Sequence, residues 1–167
     1  MKKIISYLPV FAAALILWGC KDKDPSPDEC GIETQEIPVG DNAILFIPNA
    51  FSPNGDGLND RLAFFSKHIT SISFTVYDSQ HNIVYSTSQL NQSWAAPATS
   101  EMSIYRYRVQ GTTAAGNPVA RCGTIYAMSC VPFYVSRGEL IFGDQYDPAM
   151  PAGYLKDTSA EMLPDCN

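Results

Sequence analysis

The run PNAFSPNGDGLND at residues 48–60 constrains this chain more than any other. It gathers two prolines, two glycines, three asparagines and two aspartates around one phenylalanine. Proline removes backbone donors and Gly-Asp-Gly invites positive φ, so no helix or regular strand is expected there. Apolar runs flank it, 44–47 before and 62–65 after. The stretch is therefore expected to be an ordered turn at the start of a folded domain.

The chain opens with a leader. Lys2 and Lys3 form a charged end, and residues 4–18 are apolar apart from Ser6 and Pro9. That run of about 15 residues suits a signal peptide and falls short of a bilayer span. It ends in Leu17-Trp18-Gly19-Cys20, which resembles the lipobox of bacterial lipoproteins. The resemblance implies cleavage after residue 19, lipidation of Cys20 and a membrane anchor made of acyl chains. Residues 20–42 read as that lipidated cysteine and a flexible tether, charged and proline-containing, with a fully extended reach of about 70 Å. The acidic residues among 21–29 also resemble the export signal of Bacteroidetes surface lipoproteins, although Lys21 and Lys23 interrupt them. A plain solvated linker is the alternative.

Loss of Lys2 and Lys3 leaves nine basic residues against seventeen acidic ones, a net charge of −8 compared with −6 for the whole chain. Phosphate contacts need Lys and Arg, so nucleic acid is not expected as a partner. The 148 residues beyond position 19 suffice for one domain with a core.

Cys30, Cys122, Cys130 and Cys166 accompany Cys20. An even number in an exported chain favours two disulfides. Cys122 and Cys130 lie eight apart in one expected strand, about 26 Å, beyond disulfide reach. That leaves Cys30 with one of them and Cys166 with the other. Of those two arrangements, Cys30–Cys122 with Cys130–Cys166 is favoured. No spacing among the cysteines resembles a zinc site.

Residues 43–130 read as β throughout. Strands are expected at 43–47, 62–65, 70–77, 83–85, around Tyr105, Tyr107 and Val109, and at 119–130. Ile72, Phe74 and Val76 alternate with Ser71, Ser73 and Thr75. Residues 78–82 form a turn, 111–118 a hairpin loop, and Trp94 falls in a polar loop. The fold class is all-β, an immunoglobulin-like β-sandwich of about 7 strands. Residues 131–167 read as an irregular C-terminal extension with short strands at 133–135 and 139–142, pinned by Cys166.

Pro48, Asn49, Phe51, Pro53, Asn54, Gly55, Asp56, Gly57, Asn59 and Asp60 resemble the FxPNGDGxND signature of the gliding-motility-associated C-terminal domain of Bacteroidetes surface proteins. That domain is also the type B sorting domain of type IX secretion. Phe74 to Asp78 with Asn82 to Tyr85 is similar to the family's "IFDRWGNLVFE" hairpin. Trp94 resembles the tryptophan of its "WDG", and Ile104 to Val109 resembles its "GxYxYxI" strand. Two motifs differ: Ser79-Gln80-His81 replaces Arg-Trp-Gly, and Ala95-Ala96 replaces Asp-Gly. The family domain normally closes its chain, whereas 37 residues follow Cys130 here. The resemblance implies a sandwich fold and partners in the gliding or type IX machinery.

Residues 54–60 also offer oxygen donors for calcium: Asn54, Asp56, the Leu58 carbonyl and Asp60, with Gly57 at the bend. Against the twelve-residue calcium loop, Ser52 takes the first position and Ala63 the last, where a glutamate belongs. The alternative is a turn closed by Asx side chains, with no cofactor. For catalysis, His68 and His81 sit in no recognisable motif, and GxSxG, HExxH and P-loop patterns are absent. The expectation is a non-enzymatic lipoprotein, anchored in the outer membrane and exposed at the cell surface, with a structural or protein-interaction role. A calcium-stabilised adhesin or glycan-binding lipoprotein is the alternative, and a hydrolase ranks third.

Overall fold

The computed structural model describes residues 31–167. Nine strands follow in order: β1 (Ile44–Phe46), β2 (Ala50–Phe51), β3 (Leu62–Ala63), β4 (Phe65–Lys67), β5 (Ile69–Tyr77), β6 (Ile83–Thr87), β7 (Ser93–Trp94), β8 (Met102–Thr113) and β9 (Pro118–Met128). One layer is a five-stranded sheet in the order β2-β9-β8-β5-β6. The ribbons β1-β4 and β3-β7 supply the other layer. Leu45, Leu62, Phe64 and Trp94 from the ribbon side share one buried cluster with Phe74, Val76, Val109 and Ile125 of the large sheet. The fold is an all-β sandwich.

The alternation in β5 sets its faces. Ile72, Phe74 and Val76 are buried, while Ser71 and Ser73 are exposed. β8 pairs antiparallel with both β5 and β9, so the longest strands form the centre of the sheet. Tyr107 of β8 lies across Gly123 of β9. A Cβ at position 123 would sit 2.9 Å from the tyrosine ring, so a larger residue there would require that ring to move.

Several expectations change. The stretch 62–65 is not one strand: Phe64 turns into the core between β3 and β4, which then pair with different partners, β7 and β1. Trp94 belongs to β7 rather than a loop, because burying its ring against Phe51, Tyr85 and Tyr105 fixes the backbone beside β3. Residues 50 and 51, expected in an irregular turn, form β2 and pair parallel with Tyr126 and Ala127. The expected strands at 133–135 and 139–142 are absent. A turn closes from the Val135 N–H to the Pro132 carbonyl, and Arg137–Glu139 is a 3-10 turn. Residues 132–140 close turns of their own, while Ile141 bonds across to Asn49 and Ala50 without a continuous strand ladder.

The extension at 131–167 is nevertheless packed. Val131, Leu140, Phe142 and Leu163 bury against Ala50 and Met128 in a second cluster. Tyr146 stacks on Phe65 with ring centroids 4.6 Å apart, and Tyr146 and Tyr154 both stack on Phe46. Cys130 and Cys166 are joined by a disulfide. Cys122 is also disulfide-bonded, and its expected partner, Cys30, lies outside the described residues. At the other end, Gln35 exchanges two backbone hydrogen bonds with Ala120, and Glu36 pairs with Arg121 at 2.7 Å.

Trp94→Ala should destabilise the protein by about 3–5 kcal/mol in denaturant unfolding. Phe133→Ala, at a residue 98% exposed, should stay within about 0.5 kcal/mol. His81 takes φ 65° where the related hairpin has glycine. The left-handed strain of about 1–2 kcal/mol exceeds the roughly 0.5–1 kcal/mol that glycine costs through unfolded-chain freedom. His81→Gly should therefore raise stability by about 0.5 kcal/mol, read as a higher denaturant midpoint.

Candidate functional site

The loop at 52–60 is built from its own polar side chains. Asp60 accepts hydrogen bonds from the N–H groups of Gly55 (2.6 Å) and Gly57 (2.8 Å). Asp56 accepts from the Leu58 N–H at 2.8 Å and from the Asn54 side-chain amide at 2.9 Å. The Asn54 side-chain oxygen in turn accepts from the Asp56 N–H. Gly55 and Gly57 take φ of 85° and 93°, which turns successive N–H groups toward Asp60. The loop closes where the Ser52 N–H donates to the Asn59 carbonyl at 2.8 Å and the Ser52 hydroxyl oxygen lies 3.2 Å from the Leu58 carbonyl. Donation from Leu58 first, and from Asn54 second, holds the Asp56 carboxyl below its ordinary range.

The four oxygen donors singled out in the sequence thus lie on one loop, with their carboxylates turned toward its backbone donors. Among the described residues, no three of His, Cys, Asp and Glu cluster as metal ligands.

A second set of contacts reaches the loop from the extension. The Asn49 side chain brackets that segment: its amide donates to the Glu139 carbonyl (2.8 Å) and its oxygen accepts from the Ile141 N–H (2.7 Å). The N–H groups of Asn49 and Ala50 both donate to the Ile141 carbonyl. The fully buried Ser52 donates its hydroxyl to Glu161 at 2.5 Å, and the Asn59 amide reaches the same carboxylate oxygen at 3.3 Å. The Asn59 oxygen accepts from the Asp144 N–H at 3.1 Å. Asp144 itself accepts from the Ser159 hydroxyl and the Ala160 N–H, which holds the two halves of the extension together. Sequence reasoning identified Asn49 and Asn59 but not their partners Glu139, Ile141, Asp144 and Glu161. Those residues carry no motif, and Cys166 was the only hint that the extension folds back.

Elsewhere, an open groove of about 1070 Å³ runs between residues 36–45 and 148–152, bordered by Lys67, His68 and Arg121. His81 is exposed in the β5–β6 turn, where Asp78 accepts from the N–H groups of Gln80 and Asn82. Cys20 lies outside the described residues.

Residues 45–126 match the family model of the CHU_C type IX secretion signal domain. The chain therefore carries a region similar to that signal domain over residues 45–126. No curated protein matches the chain, and no solved structure does. The signal domain starts in β1 and ends in β9, so it contains the whole signature loop and none of the extension. A type IX secretion signal domain points to a secreted or cell-surface protein.

A loop closed by its own donors should melt at the same temperature in EDTA and in millimolar calcium. A calcium-dependent rise in Tm would instead place the cation among Asn54, Asp56, the Leu58 carbonyl and Asp60. Asp41, Asp56 and Asp78 are all held below the ordinary aspartate range, chiefly by hydrogen bonds from Thr113, Leu58 and Asn82 respectively. Each is protonated in the unfolded chain before it is in the folded one. Their stabilisation is present at neutral pH and is lost as pH falls from about 4 through the folded values. Thermal melts from pH 7 to 3 should show that decline, and Asp56→Asn should flatten part of it.

Proposed function

We propose that the protein is a lipid-anchored outer-membrane protein without catalytic activity, and that its signal domain serves as a protein-interaction module of the type IX secretion or gliding apparatus. Lipid at Cys20 would anchor it, and the segment that follows would hold the sandwich off the membrane. One observation carries this reading. The signature loop is engaged by residues 139–161, which lie outside the signal domain and are tied back by Cys130–Cys166. A sorting domain arranged in this way suits a resident surface module better than a tag that is removed after export. The lipobox-like leader offers a separate route to the outer membrane.

Cells expressing the full chain test this reading. Cys20→Ala should abolish incorporation of labelled fatty acid and release the protein from the membrane fraction. Protease added to intact cells should digest the domain in strains with and without a working type IX system. Protection only in the deficient strain would mean that the domain still acts as a sorting signal. Protection in both strains would place it on the periplasmic face and refute surface display.

A further inference from the structure

We propose that Asn54–Gly55 is a site of spontaneous deamidation and Asp56–Gly57 a site of isomerisation, and that the folded loop holds both shut through the two carboxylate oxygens of Asp60. The inference stands on the geometry and chemistry of the loop and does not rest on the function proposed above.

Asparagine is chemically labile where the next residue leaves its backbone nitrogen accessible. That nitrogen gives its proton to hydroxide or water and attacks the asparagine Cγ. A C–N bond forms, ammonia leaves, and a five-membered succinimide remains. Water then opens the ring at either carbonyl, which yields aspartate or isoaspartate. At an aspartate the leaving group is water instead, and the products are the same two. Glycine has no side chain to hinder the attack, so Asn-Gly and Asp-Gly are the reactive pairs. This chain contains one of each, and both lie in the signature loop, at 54–55 and 56–57.

Burial does not shield these bonds. Residues 54–57 are all exposed, and nothing beyond the chain neighbours comes within 4 Å of where a side chain would start at either glycine. Protection falls to hydrogen bonds. The two nitrogens that would attack are the two that Asp60 holds: the Gly55 N–H donates to one carboxylate oxygen at 2.6 Å and the Gly57 N–H to the other at 2.8 Å. A proton held by a carboxylate is hard to remove, because the anion left behind would face that negative charge. The groups under attack are turned aside as well. The Asn54 side-chain oxygen accepts from the Asp56 N–H, and the Asp56 carboxylate accepts from the Leu58 N–H. Each side chain is aligned on the residue two positions ahead and not on the neighbouring glycine nitrogen. Asp60 is thus a positioning residue for reactions that it suppresses. Local opening of the loop frees both nitrogens together. The damage also reinforces itself: aspartate at 54 has no amide to donate to Asp56, and isoaspartate lengthens the backbone path through the loop.

The test incubates the full chain at mildly alkaline pH beside a synthetic peptide of residues 48–60. Peptide mass spectrometry, with chromatographic separation of the isoaspartyl products, follows positions 54 and 56. Asn54 should react at least about tenfold more slowly in the folded chain than in the peptide. Asp60→Ala should bring both positions to within about threefold of the peptide while amide exchange shows β8 and β9 still protected. Asp60→Asn, which keeps one acceptor oxygen, should fall between the two. Should Asp60→Ala lose protection in β8 and β9, the wild type decides in sub-denaturing urea, where deamidation at Asn54 should rise in proportion to amide exchange at Gly55. Deamidation as fast in the wild type as in the peptide overturns the proposal. So does a folded Asp60→Ala variant that reacts as slowly as the wild type, or a urea series in which the two rates diverge.

Discussion

The burial of Phe51 is the constraint on which the rest of the structure depends. Its ring meets Trp94 at 5.9 Å in the main core and is almost fully buried. A phenylalanine in that position contributes roughly 2–3 kcal/mol by burial alone. It therefore fixes where a loop rich in proline and glycine must begin. Ser52, the next residue, is carried below the surface with it, and its hydroxyl then needs a buried partner. Glu161 takes its single proton at 2.5 Å, with the Leu58 carbonyl 3.2 Å from the same oxygen. One apolar side chain thus determines both how the loop closes on itself and why the extension must reach it.

The same logic explains β2. Two residues are too few to form a stable strand alone, and Pro48 and Pro53 bracket them. Pairing is imposed because Ala50 and Phe51 are buried and their backbone groups have no access to water. β9 satisfies one side and Ile141 the other. The signature is then an ordered edge, with side chains that substitute for a missing neighbouring strand. Asn49 does this most directly, since a carboxamide presents the same donor and acceptor as a peptide group.

Much of this was legible in the sequence. The alternation at 71–76 placed β5 and its buried face, and the turn residues around Asp78 and Gly116 placed the two long hairpins. The Asx pattern at 54–60 pointed to a self-closed loop, and backbone N–H groups donating to the Asn54, Asp56 and Asp60 side chains form one. Trp94 was harder to place, because a two-residue strand has no periodicity and its position is set by three aromatic neighbours distant in sequence. The extension was hardest. Its order comes from contacts across about 90 residues, such as Asn49 with Ile141, and from polar pairs without local pattern. Periodicity reports a face only where an element is long enough to repeat, and the extension contains no such element.

Those long-range contacts also account for the disulfide at the edge of the domain. Joining Cys130 and Cys166 closes a loop over a sequence separation of 36 residues. In the chain-entropy view this restricts the unfolded state by about 4 kcal/mol. The extension has little regular structure with which to offset its own ordering cost. Its buried side chains form a cluster of modest size around Leu140, Phe142 and Leu163. The disulfide supplies much of what regular secondary structure would otherwise provide, because it keeps the segment at high effective concentration over the signature loop. The covalent link keeps the segment close, and its buried and stacked side chains, with the hydrogen bonds to Asn49, Ser52 and Asn59, order it there.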